Sequence, residues 1–437
     1  MGVEGKVITI EKTDKPLTGC FEVPGDKSIS HRAAIIASLA IGESTIDNYA
    51  PGADCQATLN CLRNLGVKIT TNTAGKKVTI NGKGLRGYIE PSDILYAGNS
   101  GTTMRLLSGV LSGVDMFTVI TGDDSLKNRP MGRVVDPLRN MGADIRGRQG
   151  GKYAPLSIKG GNLTGKRYML FNSSAQVKSC MLLAALFAEG ETTIIVPEES
   201  RDHTERLLKY TGVGISKHDM TISIGGPGMR REPKPFMFTV PGDLSSAAFL
   251  LAAAAIVPGS SVKGFNVGVN PTRTGFLDVL KRMGALMEIF ELKSSGPEPV
   301  AEIALDYGEL TGFYIREKEV PNLIDEIPVL AVIATQATSQ SVIEGIDELK
   351  VKESNRVQVL LEGLKAMGAD IEEIGSKLII KPSKLHGAAV DSHNDHRMAM
   401  SFAVAALIAD GKTDISGFDS IDISYPGFTE TLMSLMK

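Results

Sequence analysis

Two periodicities alternate along this chain. A stretch with apolar residues at helical spacing closes on a basic residue and a glycine, and a short run alternating apolar and polar residues follows it. Leu62-Arg63-Asn64-Leu65-Gly66-Val67-Lys68-Ile69 shows the pattern, and Leu138-Arg139-Asn140-Met141-Gly142-Ala143-Asp144-Ile145 repeats it. It returns with drift at 208–213, 280–285 and 364–371. Each copy predicts a helix of about three turns that ends at a C-terminal glycine cap and leads into a strand. A second strand is predicted after most copies, at Val78-Thr79-Ile80-Asn81-Gly82, Leu156-Ser157-Ile158-Lys159-Gly160, Ile222-Ser223-Ile224-Gly225 and Leu378-Ile379-Ile380-Lys381-Pro382. The capping glycines recur at roughly 70 to 84 residues, so 437 residues accommodate six units of mixed α/β (α+β) character.

A coarser repeat lies above this one. Val23-Pro24-Gly25-Asp26-Lys27-Ser28 reappears half a chain later as Val240-Pro241-Gly242-Asp243-Leu244-Ser245. Two homologous halves follow, residues 24–240 as one three-unit domain and 1–23 plus 241–437 as the other. The Pro-Gly-Asp turns near 23–26 and 240–243 are the expected hinges, and a cleft between the halves is the expected place for an active site. The length agrees, since single cores stop growing near about 250–300 residues.

Composition narrows the function. Lys and Arg number 47 against 50 Asp and Glu, a net charge of −3, which excludes a nucleic-acid protein that works through one basic field. Any anion site must be local. The four cysteines, Cys20, Cys55, Cys61 and Cys180, form no Cys-x-x-Cys pair and no secreted framework, and are expected as buried thiols in a reducing compartment. The start lacks the apolar core of a secretory signal, and the longest apolar run, 247–257, stops at Pro258, short of the ~20 residues a membrane span needs. A cytoplasmic protein with no membrane or nucleic-acid partner is expected. Two glycine-rich stretches mislead. Gly82-Lys83-Gly84-Leu85-Arg86-Gly87 matches a dinucleotide fingerprint but belongs to the strand-turn repeat, and the stretch 160–166 has Arg167 where a phosphate-binding loop needs Ser or Thr.

Polar chemistry concentrates where loops become helices. Pro24-Gly25-Asp26-Lys27-Ser28-Ile29-Ser30-His31-Arg32 leads into an apolar helix expected over 33–40, which puts Lys27, Ser28 and Arg32 at a helix N-terminus suited to a phosphate or carboxylate. Ser28 as a simple helix cap is the plainer account. Gly98-Asn99-Ser100-Gly101-Thr102-Thr103-Met104-Arg105 repeats the design, with Gly101 admitting a ligand close to backbone amides; alone it is an ordinary turn. Asn172-Ser173-Ser174-Ala175-Gln176-Val177-Lys178-Ser179 is a third such start, and Asp123-Asp124-Ser125-Leu126-Lys127-Asn128-Arg129-Pro130 is a charged loop that solvation alone would explain. The second half offers Asp325-Glu326 inside an apolar run, and Lys352-Glu353-Ser354-Asn355-Arg356, in which Lys352 and Arg356 are four apart and expected to face one ligand. Asp391-Ser392-His393-Asn394-Asp395-His396-Arg397 is dense enough in His and Asp to suggest a metal, but no distant His or Cys cluster completes a ligand set. Many cations, few proton carriers, no nucleophilic triad and no nucleotide motif describe a site for anionic substrates without cofactor or metal.

These motifs, in unbroken order from about residue 20 to the C-terminus, resemble the 5-enolpyruvylshikimate-3-phosphate synthase family of enolpyruvyl transferases. The resemblance implies two similar domains, each of three βαβαββ units packed around a pseudo-threefold axis, an inside-out α/β barrel. It implies transfer of the enolpyruvyl group of phosphoenolpyruvate to the 5-hydroxyl of shikimate 3-phosphate by a monomer. Carried over residue by residue, it assigns Lys27, Ser28, Arg32, Ser174, Gln176, Ser200, Asp325 and Lys352 to shikimate 3-phosphate. Lys27, Asn99, Gly101, Arg129, Gln176, Arg356 and Arg397 fall to phosphoenolpyruvate, and Asp325, Glu353 and Lys27 to proton transfer. Three positions depart from the family pattern: Ala175 stands where some members have a second serine, Arg201 is placed to compensate, and Ile423 replaces a lysine found in some members. Two alternatives stay open on the sequence. One is the sister activity on UDP-N-acetylglucosamine, which typically has Asn after the first Lys and a Cys in the mobile loop, where this chain has Ser28 and no Cys between Asp123 and Pro130. The other is a non-enzymatic two-domain anion binder.

Overall fold

A computed structural model of the chain describes residues 6–72, 75–292 and 296–436. It divides into two compact units: Gly25–Val240 together with the short stretch that ends at Glu298, and the remainder, up to Pro24 and from Pro241 onward. Each has its own hydrophobic core.

Among the described residues there are five four-stranded sheets and one three-stranded sheet, three to each unit. One shows the plan. Leu95–Tyr96 pairs in parallel with Phe117–Thr121, which pairs antiparallel with Tyr153–Lys159, which pairs antiparallel with Asp144–Gly147. A parallel pair requires a long crossover, and here the helix Gly101–Gly113 supplies it. The amphipathic helix Gly132–Asn140 then leads to the hairpin. The strands alternate buried and exposed, as in Tyr153–Lys159, so each sheet covers the core with one face and meets water with the other. Three strands close the scheme out of sequence order: Met237–Thr239 completes the sheet of Ile41–Asp47, Thr18–Glu22 completes that of Ser261–Gly268, and Ile8–Glu11 pairs with Lys412–Ser416.

The crossover helices lie inside the sheets. Lys27–Leu39, Gly101–Gly113 and Ala175–Ala185 fill the first unit, and Leu244–Ile256, Ile327–Thr335 and His396–Ala406 the second. All residues of Leu244–Ile256 are buried. That is why the longest apolar run shows no polar face, and no helix among the described residues is long and apolar enough to cross a membrane. The second helix of each unit stays amphipathic and ends as its sequence predicts. Gly66, Gly142, Gly212, Gly284 and Gly368 all have positive φ, between 81° and 107°, which a residue with a β-carbon adopts at a cost.

Three expectations need correction. The first helix begins at Lys27, not Ala33, because Asp26 caps it by accepting from Ile29 N at 2.9 Å, so Lys27 and Ser28 form its first turn. Lys352 does not share a helix with Arg356: it follows a 3-10 turn over Ile346–Val351, and the helix starts only at Arg356. Cys20 is exposed, unlike Cys55, Cys61 and Cys180. Burial pushes the Cys61 and Cys180 thiols up to about 12, so neither is a nucleophile.

Close approach of two buried helices fixes Gly109. A β-carbon there would sit 2.2 Å from the carbonyl oxygen of Cys180 on Ala175–Ala185. Alanine gains up to about 1 kcal/mol of helix propensity over glycine, but overpacking a rigid backbone contact costs about 1–3 kcal/mol or more. Gly109→Ala should therefore lower the urea unfolding midpoint of the first unit; an unchanged or raised midpoint would show that the helices separate at no cost.

Candidate active site

A helix buried along its length still presents unpaired N–H groups at its start. All three helices of the first unit answer with a side-chain cap: Asp26, Ser100 and Ser174. The residues expected to bind anions stand beside these caps, and a polar network ties the three starts together. Lys27 pairs with Asp54 at 2.5 Å. The Asp54 carbonyl accepts from Thr103 Oγ1 at 3.4 Å, and Thr103 reaches through Thr58 to His31 Nδ1, with both contacts at 2.6 Å. Burial, then Lys27 and Arg32, hold the His31 imidazole well below its ordinary value, so it stays neutral. Gln176 donates to Thr102 Oγ1 at 3.0 Å and accepts from Arg105. Arg129 donates to the Asn99 side-chain oxygen, while Asn99 donates to Asp123 at 2.7 Å. Both cations lie close to Gly101: a β-carbon there would be in ordinary van der Waals contact, 3.5 Å from Arg129 Nη1 and 3.6 Å from Arg105 Nη1.

Arg32 is 2% exposed. Its hydrogen bonds go to neutral acceptors: Thr204 Oγ1 at 2.8 Å, Ser179 Oγ at 3.0 Å and the Ser28 carbonyl at 2.8 Å. Burial pulls its guanidinium down to about 10, against the partly offsetting field of Glu205. It remains charged at neutral pH and attracts an anion. Lys178, an unassigned cation in an apolar helix, is buried and pairs with Glu205 at 2.6 Å while donating to the Ser200 carbonyl at 3.0 Å. The lysine thus holds the loop that carries Ser200 and Arg201. Ser200 Oγ is buried with no hydrogen-bond partner in the protein.

The second unit links its helix starts by charge. Arg356, buried to 1% exposure, engages three carboxylates: Asp395 at 2.8 Å through Nε, Glu353 at 2.6 Å and Asp325 at 3.3 Å. Burial opposes its charge, but Asp395, Glu353 and Asp325 win, and its pKa rises. Burial likewise opposes the Asp395 carboxylate, yet Arg356 holds it below the usual range. Asp395 also caps His396–Ala406, accepting from Arg397 N at 3.0 Å. Arg397 then reaches Asp325 twice, carboxylate at 3.5 Å and carbonyl at 3.3 Å. Asp325 is thereby fixed between two guanidinium groups, and Lys352 adjoins Glu353 in the chain. Among the described residues no group of three or more His, Cys, Asp or Glu is arranged to hold a metal ion.

Sequence reasoning named Lys178 and Glu326 only as parts of their motifs, with no role, and missed Glu205 and Arg273. The repeat itself carried a signal for one of them. Arg129, Arg201 and Arg273 stand at equal intervals in the chain, each in the loop between the second strand of its unit and the amphipathic helix. The departures are all local. Ala175 is the first residue of its helix, Arg201 is half-buried just before His203–Tyr210, and Ile423 ends a 3-10 turn over Phe418–Ile423.

Comparison with known proteins covers almost the whole chain. The sequence model of the EPSP synthase (3-phosphoshikimate 1-carboxyvinyltransferase) family matches residues 11–432. The 3-phosphoshikimate 1-carboxyvinyltransferase of Shouchella clausii is 49% identical over 428 residues, 98% of each chain. That of Geobacillus kaustophilus is 48% identical, over 96% of this chain and 98% of the relative. An EPSP synthase structure from Acinetobacter baumannii superposes with a TM-score of 0.87 at 42% identity, covering 98% of both chains. The enolpyruvyl transferase NikO from Streptomyces tendae, at 19% identity and a TM-score of 0.80 over 99% of this chain and 98% of the other, speaks for the fold alone. By sequence over almost its full length and by its paired three-sheet units, the chain belongs to the EPSP synthase family.

Proposed function

We infer that Asp325, fixed between Arg356 and Arg397, is the group around which this chain's chemistry turns. The enzyme transfers the enolpyruvyl group of phosphoenolpyruvate to the 5-hydroxyl of shikimate 3-phosphate and releases phosphate, a step of chorismate and aromatic amino-acid biosynthesis. Both substrates are anions, and buried cations at helix N-termini suit them.

The roles divide by chemistry. Lys27, Ser28, Arg32, Ser174, Gln176 and Ser200 receive shikimate 3-phosphate, with Arg201 supplying the contact that Ala175 cannot. Asp325 and Lys352 take its hydroxyls. Lys27, Asn99, Gly101, Arg129, Gln176, Arg356 and Arg397 hold phosphoenolpyruvate. In the addition step, a proton moves to the methylene carbon of phosphoenolpyruvate, C2 becomes electrophilic, and the 5-hydroxyl forms the new C–O bond as Asp325 takes its proton. In the elimination step the methyl carbon returns a proton, and phosphate leaves from C2. Glu353 and Lys27 carry the protons, and the guanidinium groups stabilise the charge on the intermediate. No cofactor takes part, and we read the enzyme as a cytoplasmic monomer.

The observation that carries this reading is the double hold on Asp325 by Arg356 and Arg397. Phosphate release from phosphoenolpyruvate should require shikimate 3-phosphate and should fall by about 10²–10⁴ in Asp325→Ala, the range for loss of a general base. Release with UDP-N-acetylglucosamine in its place would transfer the assignment to the sister activity. Substrate binding without any turnover would favour the non-enzymatic binder.

Acid sensitivity follows from the Asp395 carboxylate. Its pKa is depressed in the folded state, so the pair with Arg356 stabilises the fold above the unfolded value near about 3.9 and loses that contribution as pH falls through the lower folded value. Asp395→Asn should melt below the native protein at pH 7, and the gap should narrow toward pH 2. A gap independent of pH would show that charge is not what the pair contributes.

A further inference from the structure

Within the second unit one cluster takes no part in the roles above. Asp243 caps Leu244–Ile256, accepting from Ser245 N at 2.9 Å. Arg273 donates to Ser245 Oγ at 2.5 Å and lies 3.3 Å from the Asp243 carboxylate. Ser245 Oγ donates in turn to Glu326 Oε1, which stands 3.8 Å from Arg273 Nη2. Arg273, Ser245 and Glu326 are 3%, 2% and 1% exposed, and Glu326 Oε2 is buried with no hydrogen-bond partner in the protein.

The internal repeat gives this cluster its meaning. Asp243-Leu244-Ser245 is the second copy of Asp26-Lys27-Ser28, and Arg273 stands where Arg129 and Arg201 stand in their units. A capped helix N-terminus, a serine and a loop arginine form the same kind of anion seat that the first unit presents to substrate. Here Leu244 replaces the lysine, and a carboxylate of the chain itself fills the seat.

We propose that Glu326 is the resident anion of this duplicated seat and acts as the positioning residue for Asp325. The two are neighbours in the chain and are held from different directions. Arg397 grips the Asp325 carbonyl and carboxylate, while Ser245 and Arg273 grip the Glu326 side chain. Anchoring the second side chain fixes the backbone from which the first projects. The inference rests on the reading of Asp325 as the base, and misplacing such a group by about 1 Å costs on the order of 10²-fold in rate.

Chemical rescue tests it. Glu326→Ala empties the seat and leaves space for a small carboxylate. Its kcat should fall by about 10- to 100-fold, with KM for both substrates little changed, and formate or acetate should restore part of kcat in a saturable manner. Chloride at equal ionic strength should do less. A normal kcat overturns the proposal, as does a loss that neither carboxylate relieves in protein that melts like the native enzyme. If Glu326→Ala does not fold, Glu326→Gln decides: it keeps the shape without the charge, and native kcat in that variant overturns the proposal. Asp325→Asn run in parallel separates the two ideas. If it is fully active the base assignment fails, and the formate response of Glu326→Ala still judges the seat by itself.

Discussion

Burying a helix end to end obliges the chain to deal with its N-terminus. Among the described residues six helices lie inside their sheets, and each start exposes several backbone donors where water is scarce. A lone capping residue satisfies one or two of them. The remaining donors, with the positive end of the helix dipole, attract negative charge. A fold that buries a helix in each repeat therefore meets the same electrostatic problem again and again, and within each compact unit the candidate site residues gather at these helix starts. Asp26, Ser100 and Ser174 answer in one unit, and Asp243 and Asp395 in the other.

The two units settle their charges differently. In the first, Arg32 hydrogen-bonds to hydroxyls and a carbonyl, and burial depresses its pKa more than the field of Glu205 restores it. An anionic ligand would add counter-charge, and the energy gained there is available for binding because the protein has not already spent it on a carboxylate partner. In the second, Arg356 holds three carboxylates, and its affinity for a further anion must be weighed against them. A buried pair of this kind stabilises only modestly as a pair but is costly to break, at about 3–5 kcal/mol when one partner is removed. Rigidity is what it provides, and a base that must sit within a few tenths of an ångström of a hydroxyl needs rigidity more than affinity.

Much of this was legible in the chain. The capping glycines announced the amphipathic helices and their spacing gave the number of units, because a left-handed turn after a helix has few sequence solutions. Loop-to-helix motifs marked Lys27, Gly101, Ser174, Arg356 and Arg397 for the same reason. What the sequence withheld was pairing. Arg32 meets Thr204 from 172 positions away and Arg356 meets Asp395 from 39, and no local pattern encodes either contact. Lys178 in Ala175–Ala185 reads as part of a helix start because its partner Glu205 lies in the next helix, beyond an intervening strand. The position of the first helix start was misjudged because Asp26, an acid in a turn, was read with the turn and not as the cap.

Duplication lets such a fold serve one reaction with few kinds of residue. Five of the six buried helices begin at a side-chain cap, and only Ile327–Thr335 does not. Changing one residue then changes the use of the whole assembly: Lys27 and Ser28 leave an open cationic seat, while Leu244 and Ser245 leave a smaller one that Glu326 fills from within. A filled seat binds no substrate, but it removes a degree of freedom from the chain beside it. Since that chain carries Asp325, the filled seat serves, on the proposal above, to hold the proposed base in place.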